Sequence, residues 1–323
     1  MTTRIKNVVL LAGGIGGAKL AEGLSSIAGI NLSIIGNIAD DDVFHGLVVS
    51  PDIDTLTYTL SGLVDRSQGW GVKSDQYRAL SVLKQLGSPT WMSLGDADLG
   101  LHIYRTERLR KGDRPSIIAR DIAGFFDVKA NIILPTDEPV RTRVKSSDGW
   151  MSFQEYFVKM RCSPEIVDIC YDGINEAKPT AETVKHLEAA DVVIIAPSNP
   201  IFSIAPILDI PGIKDLILAI NVPKLAVSPI IAGKAVKGPA IEIMKAKGMI
   251  PNSFGVASYY KDLVETFVLD SKDEGLAADI ESLGLKVNIS SILMKDYNDK
   301  KRLSEDLIAI AASSSSNRRQ YAE

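Results

Sequence analysis

Four glycines stand between a predicted strand and a predicted helix near the start of the chain. An unbroken apolar run at residues 8–11 is typical of a strand buried on both faces. After the turn, Leu20, Leu24 and Ile27 recur at helical spacing. Glycines let the backbone approach an anion, and the first N–H groups of a helix point towards it. The pattern predicts a nucleotide or phosphate site, with a purely structural turn as the alternative; its residues are Gly13, Gly14, Gly16 and Gly17.

The residue types and spacing around this turn do not match two common nucleotide-binding motifs. A P-loop requires Gly-Lys-Ser/Thr, but here Lys19 is followed by Leu20, which has no hydroxyl for magnesium. A dinucleotide fingerprint that starts at Gly14 would place its third glycine at Lys19. The second predicted strand ends before Asn37 rather than before the acid that would hold an NAD ribose. An NAD-dependent oxidoreductase is therefore disfavoured.

Three consecutive acids, Asp40, Asp41 and Asp42, follow the second predicted strand. Open α/β sheets bind ligands at the carboxyl ends of their strands, which is where this loop begins. Mg²⁺ takes one or two carboxylates and keeps several waters, so we predict that these acids hold Mg²⁺ as the cofactor. A turn whose three acids face solvent, or hydrogen-bond to the backbone of the turn itself, explains the same residues equally well.

A second acidic pair opens the next predicted helix. Asp52 and Asp54 follow Pro51, and one carboxylate is enough to cap a helix. Because Asp52 is nearer the proline, we expect it to be the cap and Asp54 to face the ligand crevice. On the helix after residue 98, His102 and Arg105 share a face, a pattern more often due to packing than to catalysis.

Two later turns offer polar donors. Ser198 and Asn199 follow a buried apolar run at residues 192–195 and present hydroxyl and amide groups to a base or phosphate. Lys234 and Lys237 lie beside glycines before a predicted helix, which suits a diphosphate better than packing alone.

Composition limits the class of protein. Of 323 residues, 46% are hydrophobic and 24% charged, which is ordinary for a globular enzyme. A net charge of −4 argues against a nucleic-acid binder. Apolar runs fall short of the ~20 residues of a membrane span, and the first strand starts too early for a secretory signal. Cys162 and Cys170 fit reduced thiols, so we expect a cytoplasmic protein with neither membrane nor nucleic-acid partners.

The order of elements predicts an α/β fold, a Rossmann-like wound and mostly parallel sheet, with a strand expected at Phe254–Ala257. Proline-bounded turns and hairpin signals predict a smaller α+β subdomain inserted at residues 119–177. The nucleotide-binding core then comprises residues 1–118 and 178–312. The polar end, residues 313–323, is expected to be disordered.

Eight segments occur in order between Asn7 and Ala240: GGIGGAKL, NIADDD, SPDIDTLTYTL, LGDADLGLHIYRT, PVRTRV, FQEYFV, SNPIFSIAPIL and VSPIIAGKAVKGPA. Together they resemble the 2-phospho-L-lactate transferases of coenzyme F-420 biosynthesis. The resemblance implies transfer of a phospholactyl group from lactyl diphosphoguanosine to 7,8-didemethyl-8-hydroxy-5-deazariboflavin, with release of GMP. It also implies a Mg²⁺ requirement, a Rossmann-like core with an added, smaller substrate-binding subdomain, and a homodimer.

The resemblance gives the candidate residues their expected roles. The ribityl hydroxyl would attack phosphorus directly, oriented by Asp52 or Asp54. Trp70, Trp91 and the adjoining Ser93 would contact the deazaflavin. The glycine turn, with Ser198, Asn199, Lys234 and Lys237, would hold the GDP portion.

Two departures concern the loop beside the deazaflavin. Relatives often carry a cation or amide where this chain has Ser93, and Arg where it has Ala97. The three-carbon acid stays open, because one pocket could take lactate or phosphoenolpyruvate. A nucleotide-sugar-binding regulatory protein of the same superfamily is the alternative function.

Overall fold

The structure, a computed structural model, describes residues 5–235 and 240–320. Lys237 lies outside the described residues, as do residues 321–323. The strands are β1 Asn7–Ala12, β2 Asn31–Gly36, β3 Asp42–Phe44, β4 Leu47–Val49, β5 Asn131–Ile133, β6 Arg141–Ser146, β7 Gly149–Ser152, β8 Asp168–Asp172, β9 Val192–Ile195, β10 Lys224–Val227, β11 Ile230–Ile231, β12 Lys234–Ala235, β13 Thr266–Asp270 and β14 Lys286–Ser290. The α-helices are α1 Gly14–Ser25, α2 Pro51–Leu60, α3 Arg78–Gln85, α4 Asp96–Arg110, α5 Pro115–Phe125, α6 Ala181–Glu188, α7 Ala205–Leu208, α8 Ile213–Ala219, α9 Ala240–Ala246, α10 Ser253–Tyr260, α11 Ala277–Ser282 and α12 Tyr297–Gln320.

A seven-stranded sheet with parallel pairings forms the centre, in the order β14-β13-β10-β9-β1-β2-β5. Its inner strands are apolar runs because helices cover both faces of the sheet, so alternate residues are buried in opposite layers. Chain order reverses between β1 and β9, which makes their carboxyl ends the switch point of the wound sheet. The predicted α/β class is confirmed.

The two faces of the sheet have separate cores. Val8 and Leu10 of β1 pack with apolar residues of α1, α2, α5 and α12 on one side. Val9 and Leu11 pack with α6, α7, α8, α10 and α11 on the other. Among the described residues, no helix combines the length and apolarity needed to cross a membrane.

The inserted part is smaller than the sequence indicates. α5 packs on the central sheet, and β5 pairs with β2 in that sheet, so residues 119–133 belong to the core. The antiparallel sheet β7-β6-β8 and a π-helix at Glu155–Lys159 make up the insertion. The boundary at residue 119 is therefore wrong, because a three-residue edge strand carries too little pattern to be separated from the hairpin that follows.

Two further predictions fail for local reasons. Phe254–Ala257 lies in helix α10, because the side chain of Asn252 accepts a hydrogen bond from the Gly255 N–H and caps a helix there. Helix α12 continues through residues 313–320, which the sequence predicts to be disordered. The hydroxyls of Ser313 and Ser315 donate to carbonyls four residues earlier, so these two serines satisfy their hydroxyls within the helix.

Candidate active site

A cavity of about 790 Å³ opens at the switch point between β1 and β9. Its walls come from the β1–α1 turn, helices α2 and α4, the loops before α3 and α4, the π-helix of the insertion and the loops after β9 and β10. The predicted ligand edge of the sheet and the inserted part therefore face one space.

The glycine turn lies at the floor of this cavity. Gly13 precedes helix α1, and Gly13, Gly14 and Gly16 line the cavity. A Cβ on Gly16 would lie 2.3 Å from the Pro197 carbonyl oxygen, so only glycine fits there. Gly14 has a φ of +62° and no described atom within 4 Å of a built Cβ, so its backbone borders open space. The Gly14 N–H donates to Asp52, so it is the later N–H groups in the first turn of α1 that remain for the predicted anion cradle.

Ser198 joins the two loops at the switch point rather than reaching for a ligand. Its Oγ donates to the Gly13 carbonyl over 2.7 Å and lies 3.3 Å from the Gly13 nitrogen. Asn199 caps the turn after it by accepting from the N–H groups of Ile201 and Phe202. Both residues line the cavity.

Two of the predicted phosphate ligands do not reach the cavity wall. Gly17 packs behind the turn, where a Cβ would lie 2.8 Å from the Ala12 side chain. Lys234 is exposed on the β11–β12 hairpin and does not line the cavity. The tight hairpin at Gly233, with a φ of +68°, turns this lysine outward.

Asp40 and Asp52 form a buried carboxylate pair beside the cradle. Burial and the charge of Asp52 raise the pKa of Asp40 well above its ordinary value. Burial also raises the pKa of Asp52, opposed by hydrogen bonds from Asn37 and the Gly14 backbone. Oδ1 of Asp40 has no hydrogen-bond partner among the described residues. A divalent cation would neutralise both carboxylates, so these oxygen ligands fit Mg²⁺.

The expectation that Asp52 caps helix α2 is wrong. Ser50 is the residue before the helix, and no side chain caps its first turn. Asp52 instead accepts from Nδ2 of Asn37 over 3.0 Å. Its carboxylate faces the cradle, because a Cβ on Gly13 would lie 2.7 Å from Oδ2 of Asp52.

The three consecutive acids do not act as one group. Asp41 and Asp42 border a separate cavity of about 80 Å³ and are absent from the large cavity's walls, whereas Asp40 borders both. Asp41 accepts from the Ser50 hydroxyl over 2.8 Å, and Asp42 accepts from the Val43 N–H as β3 begins. Asp40 lies in a turn that the Asp41 N–H closes by donating to the Ile38 carbonyl over 3.1 Å, and Asp42 begins β3, so the backbone changes direction between the three side chains.

Asp54 faces the cavity but is not a free carboxylate. Both of its oxygens accept from the guanidinium of Arg105, at 3.1 Å for the Nη1–Oδ2 contact and closer for Nη2–Oδ1. Arg105 is itself buried and also donates to the Val48 carbonyl. Burial raises the pKa of Asp54, although the charge of Arg105 opposes that effect. The pairing fixes the direction of the carboxylate.

Three more polar residues extend this wall. Nδ1 of His102 lies 3.2 Å from Nη1 of Arg105, and Nε2 of His102 lies 3.2 Å from Oδ2 of Asp98. The Tyr58 hydroxyl donates to Oδ1 of Asp98 over 2.6 Å. Tyr58, Asp98 and His102 all line the cavity, so a continuous polar chain runs beside Asp54.

Aromatic side chains form another part of the cavity wall. Trp70, Trp91 and Ser93, which are expected from the sequence to contact the deazaflavin, line it. The insertion adds Phe153 and Phe157, whose rings stack at a centroid distance of 5.3 Å. Trp70 is 41% exposed at the mouth, so a planar ligand could still cover it.

Sequence reasoning missed several of these groups. Arg105 and His102 share a helix face, but nothing in the sequence brings that face to Asp54, 51 residues earlier than Arg105. Lys19 and Arg161 are cations that line the cavity; Lys19 lies in the GGIGGAKL segment but received no ligand role from the sequence, and Arg161 lies outside the eight segments. The FQEYFV segment was the available signal for Phe153 and Phe157, since aromatics at that spacing share a helical face.

The fold and the cavity define the chain as a Rossmann-like α/β protein with a glycine-lined cavity at its switch point. The family model for "2-phospho-L-lactate transferase CofD" matches residues 8–301. The chain belongs to this transferase family, whose name connects it to coenzyme F-420 biosynthesis.

Curated relatives match over almost their full length. A 2-phospho-L-lactate transferase of Methanococcoides burtonii is 36% identical over 306 residues, covering 94% of this chain and 99% of the relative. One of Methanocaldococcus jannaschii is 35% identical, covering 95% and 98%. A phosphoenolpyruvate transferase of Streptomyces griseus is 33% identical, covering 94% and 98%.

Solved structures show the same fold at low identity. A Bacillus halodurans protein described as a member of the UPF0052 family superposes with a TM-score of 0.63 at 15% identity, covering 95% of this chain and 99% of that one. At this identity the likeness concerns the fold alone.

The buried carboxyl of Asp41 should make the stability of the protein depend on pH. Burial raises its pKa to about 7, despite the opposing charge of Arg141 and the bond from Ser50. Between pH 4 and 7 the folded chain keeps this proton while the unfolded chain has lost it, so the free energy of unfolding falls as pH rises. Asp41→Asn should therefore raise the Tm relative to the parent by at least about 2 °C at pH 8 and by less at pH 5.

Melting curves at both pH values test this expectation. Asp127→Asn is the matched control, because its parent side chain is 83% exposed and its loss removes no buried carboxylate, so it should not reproduce the rise in Tm at pH 8. An equal Tm difference at pH 5 and pH 8 for Asp41→Asn would contradict the assignment.

Proposed function

We propose that the chain transfers a phospholactyl group from lactyl-2-diphospho-5′-guanosine to 7,8-didemethyl-8-hydroxy-5-deazariboflavin and releases GMP. One observation carries the proposal: a single cavity combines an anion cradle, a buried carboxylate pair and aromatic walls. The anion cradle suits a diphosphate, and the carboxylate pair suits a cation that neutralises the charge of that diphosphate. The aromatic walls suit a flat tricyclic acceptor.

The donor's guanosine diphosphate portion would bind at the glycine turn. N–H groups at the start of α1 would face its phosphates, and Lys19, which donates to the Met294 carbonyl over 2.8 Å, lines the same end of the cavity. Ser198 and Asn199 hold the two loops in register for this contact. Lys237 stays a candidate ligand, whereas Lys234 becomes a weaker one because of its outward position.

Asp40 and Asp52 would hold Mg²⁺ in this proposal. A metal held by these carboxylates would supply positive charge to offset the negative charge of the diphosphate. The fit rests on two buried carboxylates with raised pKa values, one of which has an oxygen without a described partner. Asp41 and Asp42 border a different cavity and are less suited to the role.

Asp54 would orient the attacking hydroxyl of the acceptor. The ribityl oxygen forms a bond to the lactate-bearing phosphorus, GMP leaves with its bridging oxygen, and the hydroxyl proton passes to the Asp54 carboxylate. Arg105 holds that carboxylate in one direction, so the hydroxyl meets a fixed acceptor. Trp70, Trp91 and Ser93 would contact the deazaflavin ring, together with Phe157.

A reconstituted reaction tests the proposal. Purified protein, deazariboflavin, lactyl-2-diphospho-5′-guanosine and Mg²⁺ should yield GMP, measured by chromatography, and EDTA should stop the reaction until Mg²⁺ is added in excess. A parallel reaction with the phosphoenolpyruvate-derived donor decides the three-carbon acid. Deazariboflavin binding with no GMP from either donor would favour a binding protein, while turnover in EDTA would refute only the proposed metal requirement.

We also propose that the chain forms a homodimer, which size-exclusion chromatography tests.

Gly14 provides a test of the cradle that is independent of chemistry. A methyl group at Gly14 meets no protein atom within 4 Å, so Gly14→Ala places it in the space that a phosphate would use. We expect GDP affinity to fall by at least about tenfold, measured by calorimetric titration. Gly87→Ala carries the same backbone cost, with a φ of +82° and open surroundings, and should leave GDP affinity unchanged. Equal affinities in the two variants would remove the turn from the site.

Asp54 requires a paired substitution because Arg105 depends on it. Asp54→Asn should reduce GMP release by at least about a hundredfold. It should also lower the Tm, since it leaves a buried guanidinium without its anion. Adding Arg105→Gln removes that unpaired charge, so the double variant should regain Tm but not turnover. Recovery of turnover together with Tm would assign Asp54 a structural role.

A further inference from the structure

One ring nitrogen of His102 has a hydrogen-bond partner among the described residues, and the other has none. Arg105 can only donate hydrogen bonds, so Nδ1 of His102, 3.2 Å from Nη1 of Arg105, must be the acceptor. The ring then carries a proton on Nε2. The tautomer is therefore set by the residue that also holds Asp54.

Nε2 of His102 is buried without an aligned partner among the described residues. The side chain is 1% exposed, and Nε2 lies 3.2 Å from Oδ2 of Asp98 in a direction that does not make a hydrogen bond. Oδ1 of Asp98 is already used by the Tyr58 hydroxyl. A buried donor left open costs free energy unless a ligand accepts from it, and His102 lines the cavity.

The ligand that suits this place must both accept and donate. Donor and acceptor atoms of Asp54, Asp98 and His102 lie within 4.8 Å of one another. Nε2–H supplies a donor, and the two carboxylates supply acceptors. A hydroxyl satisfies both kinds of group at once. A cation is less suited, because the guanidinium of Arg105 already supplies positive charge at Asp54 and beside Nδ1.

We infer that His102 and Asp98 bind a second hydroxyl of the acceptor's polyol chain, next to the hydroxyl that Asp54 orients. The inference rests on the proposed function for the identity of the acceptor. His102 donates to this second hydroxyl and Asp98 accepts from it, which fixes the chain on both sides of the reacting position. The site thereby distinguishes a polyol from a simple alkyl alcohol.

The experiment compares two acceptors in the same GMP-release assay. One is deazariboflavin with its ribityl chain, and the other carries a 5-hydroxypentyl chain with a single terminal hydroxyl. The parent protein should prefer the ribityl compound by at least about tenfold in kcat/KM. His102→Asn keeps an acceptor for Arg105 but removes the Nε2 donor, so the two acceptors should become nearly equal through loss on the ribityl compound alone.

His102→Gln supplies the conservative rescue. Its amide N–H can reach the Nε2 position, so part of the ribityl preference should return. His186→Asn is the matched control, because His186 bonds Ser33 outside the cavity, and it should keep the full preference. An equal loss on both acceptors in His102→Asn, or no preference in the parent protein, would overturn the inference.

Binding measurements separate this inference from the proposed reaction. If the parent protein releases no GMP, the proposed function fails, but deazaflavin fluorescence still reports the Kd of both compounds. A preference for the ribityl compound that His102→Asn abolishes would support the polyol site on its own. Equal Kd values for the two compounds in the parent protein would refute it.

Discussion

The compensation of buried carboxylates governs the candidate site. Asp54 is paired with the guanidinium of Arg105, and Asp98 is bonded by the Tyr58 hydroxyl. Asp52 accepts from Asn37 and from the cradle backbone, and Asp40 retains an oxygen without a described partner. Taking anions out of water is costly, so their neighbours must be placed within hydrogen-bonding distance. A metal or a substrate would supply the partner for a carboxylate oxygen that still lacks one, such as that of Asp40.

The topology of the sheet brings these groups to one place. The switch point lies between β1 and β9, and the Gly13 carbonyl accepts from the Ser198 hydroxyl across it. The insertion is tied to the same point, because Nε2 of Gln154 donates to the Asp40 carbonyl over 2.8 Å. Phe153, next to Gln154, belongs to the aromatic wall. The parts proposed for the donor and for the acceptor are thus mechanically connected.

The fold was predictable to the extent that local pattern determines it. Apolar runs at residues 8–11 and 192–195 can be buried only between two helical layers, which leads to a wound parallel sheet. The predictions of secondary structure fail where the hydrophobic pattern of a segment is short or fits more than one structure. β5 has three residues, Phe254–Ala257 follows an asparagine cap, and the serine-rich end of α12 bonds to its own backbone. In each case tertiary packing or a side-chain bond outweighs propensity.

By itself, the sequence determined the sheet class, the glycine turn and the set of acids from which the site is drawn, because strands, turns and motif spacing are local. The tertiary structure decided which of these residues meet. It directed Asp41 away from the cavity, brought Arg105 to Asp54 and turned Lys234 to the surface. Burial and charge compensation depend on neighbours far apart in the chain, and no local pattern encodes them.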